Sequence, residues 1–553
     1  MAIFYYVCFS SLLLLSGTVQ AEENLPADKP PIQLHYDNQT QVKSSPSEMS
    51  DGLIEIKHIR LQGDTLFPEY GITNEFLHER VNQVYSHMNQ KLSISDINKI
   101  ADALTLAYRE KGLTFNQAYV VPQEITQSTL TIHVLKGTLA EVDIYDNKLY
   151  STEQLTAPFE NLIGKVIYEP EIKKVVATLN QKPGLKIFSF FSLGSKQGEA
   201  RLNVRVMEEM QHHSTLTVDN KGVDQTGVNR ALFSHTINNP FNLSGQLRGT
   251  ALTTNKQGNF FGSLGYTTPV TPSNQLSFSI LRSDFAVTGQ FTDLGLEGNL
   301  SAATAIWSNQ PDNKTSNIAH NRWGSISTKQ SNVTSDEFSD FLNEEVDYTM
   351  LSGTYQIHFL GTNQSKSQHI FSLSPSYSNI SATDNTALPS DFWLVNASYK
   401  FMTPEWSKII PLHHPFSILA KGQFTSEQLP SSEQLATTGS NANRGFEPGI
   451  FSADSTYTFS LEQAINWSID VAEQSKQFTL QPFLFFDYSY GELNTNTDFS
   501  AKFQSAGVGL KASYNKLANA GVTVGHPLDH NVSSQLNIDQ KQAVIYAHLS
   551  LSF

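Results

Sequence analysis

The chain ends on an unbroken alternation. From Ala543 to Phe553, Ala543, Ile545, Ala547, Leu549, Leu551 and Phe553 fall on one face of an extended strand. Val544, Tyr546, His548, Ser550 and Ser552 fall on the other. An apolar face that runs to the last residue suits a strand with lipid on one side and a polar lumen on the other. The same period-two pattern fills residues 211–553, in about sixteen runs separated by turn-like clusters and with no convincing helix. Examples are STLTVDN, NQLSFSILRSDF, QFTLQPFLFFDYSYG and SAGVGLKASYN. Roughly 340 residues for sixteen strands allow about 21 per strand and connection. That accommodates membrane-spanning strands of about 9 to 11 residues. The expectation is an all-β transmembrane barrel of 16 antiparallel strands.

Composition narrows the choice. Charged residues make up 16 % of the 553, against about 25 % in ordinary soluble proteins. Yet mean hydropathy is −0.28, which excludes a bundle of apolar helices. The single cysteine, Cys8, lies in the N-terminal apolar stretch, so the remaining chain has no disulfide to stabilise it. A closed barrel pairs every backbone group without one. A net charge of −15 argues against a nucleic-acid partner, which would call for a Lys/Arg surface. His212 with His213 and His413 with His414 are adjacent pairs that point to opposite faces of an extended chain, a poor geometry for one metal ion. No G-x-S-x-G, H-E-x-x-H or phosphate-loop signature occurs. The chain reads as a non-enzyme with no metal and no cofactor.

Ahead of the barrel, Ile3 to Leu15 is apolar and is followed by Val19, Gln20 and Ala21. This reads as a signal peptide over residues 1–21, although its first residues carry no Lys or Arg. Residues 22–50 read as a disordered linker or as a segment that occupies a pore. Residues 51–137 and 138–210 then repeat one order: strand, helix, helix, strand, strand. In the first repeat LIEIKHIRLQG is a strand, and SISDINKIADALTLAYREKG is a helix with Ser93 as N-cap, Asp96 three residues on and Gly112 at its end. In the second, STEQLTAPFENLIG and EPEIKKVVATLNQKPG are helices, the latter starting at Pro170.

This layout resembles the two-partner secretion transporters, the outer-membrane pores that export filamentous haemagglutinins, haemolysins and contact-dependent toxins. The repeats look like two small α/β POTRA domains, the first on SISDINKIADALTLAYREKGLTFNQAYVVPQEI and STLTIHVLKGTLAEVDI. VDNKG, TGVNRA and NPFNLSGQL, between Val218 and Leu247, resemble the first two barrel strands and the turn after them. The family's most specific mark is an Arg-Gly-Phe/Tyr at the tip of the loop between barrel strands 11 and 12, matched here by Arg444, Gly445 and Phe446. The resemblance implies that this loop folds back into the barrel and that Arg444 pairs with an acid on strand 13. In QFTLQPFLFFDYSYG, Leu484, Phe486, Tyr488 and Tyr490 share one face, and Phe483, Phe485, Asp487 and Ser489 the other. A carboxylate facing lipid costs up to a few kcal/mol, so Asp487 should face the lumen. Three positions depart from the family pattern: Asn443 where Val is usual, Gly439-Ser440 where a Gly pair is common, and Ser489 where Gly often stands.

The implied function is export of an unfolded cognate exoprotein, whether adhesin, haemolysin or contact-dependent toxin. The implied location is the outer membrane, with the POTRA-like domains in the periplasm and the pore a monomer in lipid. Leu549, Leu551 and Phe553 resemble the signal read by the barrel-assembly machinery. The candidate edge for adding a strand of the partner is Lys186, Ile187, Phe188, Ser189, Phe190 and Phe191. A barrel-assembly insertase and a general diffusion porin are the alternatives. The first usually carries more POTRA units, and the second has no use for two tandem periplasmic domains.

Overall fold

The computed structural model describes residues 53–553 apart from 89–90, 272, 311–316, 336, 338–342, 362–366, 386, 405–413, 472–475, 496–498 and 533–541. The expected signal peptide and the segment 22–50 lie outside the described residues. The described chain divides after Gln211 into two units.

The N-terminal unit holds two three-stranded sheets built alike. In the first, β1 (His58–Gly63), α1 (Asn74–Tyr85), α2 (Ile94–Glu110), β2 (Gln117–Tyr119) and β3 (Thr129–Leu135) follow in order. The run expected as one strand from Leu53 to Gly63 changes partners midway. Ile54–Glu55 pairs with Lys91–Leu92, whereas β1 lies parallel to β3. The N–H groups of Lys57 and His58 both donate to the Ser128 carbonyl at the crossover. Helix α2 begins in a capping box. Ser93 Oγ accepts from the Asp96 N–H, and the Asp96 carboxylate accepts from the Ser93 N–H, each at 3.2 Å. It ends at Gly112, whose φ of +84° is left-handed. Its stripe of Ile97, Ile100, Ala101, Leu104, Ala107 and Tyr108 is buried in one core with Leu130 and Ile132 of β3. Burying a side chain such as Leu104 contributes about 1.5–3 kcal/mol.

The second sheet follows with β4 (Thr138–Tyr145), α3 (Thr152–Thr156), α4 (Glu169–Leu179), β5 (Leu185–Leu193) and β6 (Glu199–Glu209). The helix expected from Ser151 to Gly164 is shorter than its pattern. After five residues it tightens into a 3₁₀ turn, Ala157–Leu162, because Pro158 has no N–H to continue the ladder. Strand orders are β1–β3–β2 and β4–β6–β5, with the central strand parallel to the first and antiparallel to the last. Strand β5 therefore forms a sheet edge.

The C-terminal unit is a closed barrel of sixteen strand positions. The first strand is His212–Asp219, the second Arg230–Asn238 and the third Gln246–Thr254. Strand 11 is Phe416–Phe424, and strand 12 is split into Ser455–Ala464 and Trp467–Val471, both paired with strand 13, Lys476–Leu493. Strands 14, 15 and 16 are Phe499–Tyr514, Ala518–Val532 and Val544–Ser552. Every neighbouring pair is antiparallel, and strand 16 pairs with strand 1 from His548↔Asp219 to Ser552↔Thr215. Ser214 and Phe553 complete that seam by exchanging both backbone hydrogen bonds, at 2.7 and 2.9 Å. Outward positions are apolar and exposed, among them Phe278, Ile280, Leu351, Leu484, Val508 and Ile545. Inward positions carry small polar groups such as Ser283, Ser331, Ser378 and Ser505. This is the lipid-out, lumen-in division that the alternation implied.

Lys99 and the Ser93 cap hold the Asp96 carboxyl down at about 2, from an ordinary 3.8. A depressed folded-state value stabilises above the unfolded one, and that contribution disappears as pH falls through the folded value. The thermal stability lost by Asp96→Asn, followed by far-UV circular dichroism of the α/β unit, should therefore shrink as pH falls from about 4 to about 2. A pH-independent difference would contradict this account.

Candidate functional site

The loop from Thr425 to Asp454 joins strands 11 and 12 and turns inward, against the inner wall. Its tip is a tight turn. The Gly439 N–H donates to the Asn443 carbonyl, and the Phe446 N–H to the same oxygen. Arg444 leaves this turn toward strand 13. Its Nε donates to Asp487 Oδ2 at 2.8 Å and its Nη2 to Oδ1 at 2.9 Å, a bidentate pair. The Arg444 backbone N–H also donates to Oδ2, at 3.0 Å, and Ser460 Oγ donates to Oδ1 at 2.7 Å. Asp487 thus accepts four hydrogen bonds while 0 % exposed. Strand register produces this arrangement: Asp487 sits between Ser460 on strand 12 and Ser505 on strand 14.

The guanidinium is satisfied on its other side too. Arg444 Nη1 donates to Glu462 Oε2 at 2.9 Å, and Lys511 Nζ donates to Glu462 Oε1 at 2.5 Å. Two bases and two acids therefore close a chain around the tip. The guanidinium carbon lies 3.7 Å from the centre of the Phe485 ring, a cation–π stack. Removing Arg444 would strand a buried acid, a loss of about 3–5 kcal/mol for a pair of this kind.

Gly445 and Phe446 seat the tip by contact. A Cβ on Gly445 would fall 2.2 Å from Ser505 Cβ, and a Cβ on Gly525 of strand 15 would fall 2.1 Å from the Arg444 carbonyl. Both glycines are there for space. The Gly445 N–H donates to Ser505 Oγ at 3.1 Å. Phe446 is fully buried against Phe503, and its carbonyl accepts from the Tyr546 hydroxyl of the last strand at 2.7 Å. The structure thus brings Arg444, Gly445, Phe446 and Asp487 together. It adds Ser460, Glu462, Ser505, Lys511 and Tyr546, which sequence reasoning missed. Their only signal is an inward parity on strands whose register the sequence does not give.

Two of the three departures from the family pattern make contacts of their own. Asn443 Nδ2 donates to the Phe503 carbonyl at 3.0 Å and to the Asp487 carbonyl at 3.4 Å. Ser489 Oγ donates to the Thr437 carbonyl of the loop at 2.7 Å.

The other residues singled out lie elsewhere. On β5, Leu185, Ile187, Ser189 and Phe191 face the core, while Phe188 and Phe190 stack on the half-exposed face, centroids 6.1 Å apart. Phe191 also packs on Phe115 of the first sheet's domain at 4.5 Å. Leu549, Leu551 and Phe553 lie on the exposed apolar face of strand 16, and Phe553 is 70 % exposed. His212 stacks on His235, which in turn meets Ser214 Oγ at 2.9 Å. Among the described residues, no group of three or more His, Cys, Asp or Glu is placed to hold a metal ion.

Known proteins share this architecture. The family model described as haemolysin secretion/activation protein ShlB/FhaC/HecB matches residues 198–512, and that of the POTRA domain, ShlB-type, matches residues 54–137. The heme/hemopexin transporter protein HuxB of Haemophilus influenzae is 25 % identical over 494 residues, covering 85 % of this chain and 83 % of its own. The solved structure of CdiB from Escherichia coli aligns with a TM-score of 0.62 at 16 % identity, covering 93 % of each chain. BamA from Haemophilus ducreyi lacking POTRA domains 1-3 aligns with a TM-score of 0.55 at 11 % identity, covering 90 % of this chain and 100 % of its own.

The tight seat of the tip generates a test. Gly445→Ala should unseat the tip and expose the loop to protease in an otherwise folded barrel, because Ser505 stands where the methyl must go. Gly445→Ala/Ser505→Gly should recover part of the protection. Full resistance of the single variant would show that the close approach is not needed.

Proposed function

The chain belongs to the haemolysin secretion/activation family ShlB/FhaC/HecB, and we propose that its lumen loop and its second N-terminal sheet are the working parts of export. The protein is an outer-membrane transporter of the two-partner secretion type, which carries a partner protein to the cell surface. Its POTRA-type region faces the periplasm, as in the rest of the family. The relatives are transporters. The barrel-assembly alternative shares the fold of BamA but not the family match.

The observation that carries the mechanistic reading is the Arg444–Asp487 pair. It is bidentate, desolvated and stacked on Phe485, so it holds one loop geometry far better than an exposed ion pair does. In this reading the pair is a loop-to-wall lock that keeps the lumen in the state from which export proceeds. Transport then needs no cofactor, and folding of the partner outside the cell biases its movement.

The partner is first held in the periplasm. Asn180 of the turn after α4 donates to the Ile187 carbonyl at 3.3 Å and accepts from the Ile187 N–H at 2.8 Å, so these groups point away from β6. Alternation carries that outward direction to Ser189 and Phe191. An extended segment of the unfolded exoprotein would add to β5 there. The exoprotein is an adhesin, a haemolysin or a contact-dependent toxin. The name of the relative HuxB makes a heme/hemopexin-handling protein the first further class to test. Leu549, Leu551 and Phe553 serve as the signal by which the barrel-assembly machinery inserts the barrel into outer-membrane lipid, as a monomer.

Arg444→Ala should give a folded, inserted barrel that no longer secretes its partner, scored by immunoblot of culture supernatant against heat-modifiable mobility of the barrel. Charge reversal at Arg444 or Asp487 should do the same, and the double swap should restore some secretion. Normal secretion by Arg444→Ala would sink the lock. At the edge, Ser189→Pro removes an outward N–H and leaves the β5–β6 ladder intact. It should weaken capture of the exoprotein while the barrel stays folded. Undiminished capture would exclude augmentation at β5.

A further inference from the structure

The loop is fastened a second time, at its base and on another part of the wall. Glu433 accepts from Lys329 Nζ of the seventh strand, Ile318–Ser335, and from the Tyr348 hydroxyl of the eighth, Glu344–Leu360, the latter at 2.5 Å. The Tyr348 hydroxyl also meets Ser432 Oγ at 2.7 Å, and Tyr348 is fully buried. Beside it, Glu344 accepts from the Ser431 hydroxyl at 2.7 Å and from Asn385 Nδ2 at 3.0 Å. Asp454, at the far end of the loop, ties both feet together. It accepts from the Leu429 N–H at 3.0 Å, from Gln434 Nε2 at 2.8 Å and from the Asn494 N–H at 2.8 Å.

The base therefore docks on strands 7 and 8, and the tip docks on strands 12 to 16. In a ring of sixteen these are separate stretches of wall, so the loop is a strap fastened at two places. Gln423 of strand 11 also donates to the Glu433 carbonyl at 2.8 Å, and Ser489 of strand 13 to the Thr437 carbonyl between them. The base carries its own half-buried acid–base pair and shares no residue with the tip cluster around Arg444.

We propose that Lys329, Tyr348 and Glu433 form a second, independent positioning site that holds the base of the loop against the wall. The proposal rests on the reading that this loop governs passage through the lumen. Displacing the strap requires release at one end, and a chain locked only at its tip would swing from Arg444 as from a hinge.

The test is the conductance of the purified full-length protein in planar bilayers, with heat-modifiable mobility on gels reporting the fold. Lys329→Met and Glu433→Gln should each raise mean conductance severalfold, because the base is freed. Lys329→Arg, which keeps the charge, should behave as the unmodified protein. Lys329→Met combined with Arg444→Ala should open the pore further than either change alone. Glu433→Gln keeps the acceptor for Tyr348 and nearly the same volume, so it carries the test should Lys329→Met fail to fold. The proposal is overturned if conductance of the folded variants equals that of the unmodified protein, both alone and with Arg444→Ala. The lock reading fails separately, through normal secretion by Arg444→Ala.

Discussion

Asp487 is an acid with no exposure on the inner wall of a barrel, so its partners must come from the protein. Strand neighbours supply one donor, Ser460; the other three come from Arg444, its side chain and its own N–H. A wall residue that can be satisfied only by a loop makes the loop part of the wall. Phe446 then has a pocket to fill, Gly445 and Gly525 must stay bare to let the backbones approach, and Glu462 with Lys511 balances the remaining side of the guanidinium.

The departures from the family's usual residues show how tolerant this seat is in detail. Asn443 stands where an apolar residue is usual, yet it is fully buried, and its amide donates to two wall carbonyls. Ser489 stands where the smallest residue is common and uses its hydroxyl to hold the loop at Thr437. In both places a polar group replaces packing with a hydrogen bond directed at backbone. Backbone acceptors sit at the same place whatever the neighbouring side chains are, so such exchanges preserve loop geometry.

Much of the architecture was legible because period-two alternation needs no tertiary knowledge. The lipid and lumen faces of strands 13 and 16 could be read residue by residue, and so could the stripe and capping box of α2. Where the reading fell short, the missing information was a partner or a register. The run through Leu53 to Gly63 looks continuous, and only the separate claims of Lys91–Leu92 and β3 divide it. Pro158 was visible, but periodicity alone carried the helix past it. At the site, the motif residues were visible because they are consecutive and unusual. Glu462 and Lys511 were not, since a charge facing the lumen looks the same whether or not a loop arrives beside it. The base contacts at Lys329 and Glu433 lie 104 residues apart and carry no motif.

The seam between the first and last strands has a consequence for how such a protein comes into being. Ser214 pairs with Phe553, just past strand 16. Until that pairing forms, both edges of the sheet are open and available to any other strand. The last strand also contributes Tyr546, whose hydroxyl bonds the Phe446 carbonyl at the loop tip. Completion of the ring and final seating of the loop are thus recorded by the same short segment. A barrel without strand 16 would lack closure and a latch contact at once, which makes that strand a checkpoint for the whole molecule.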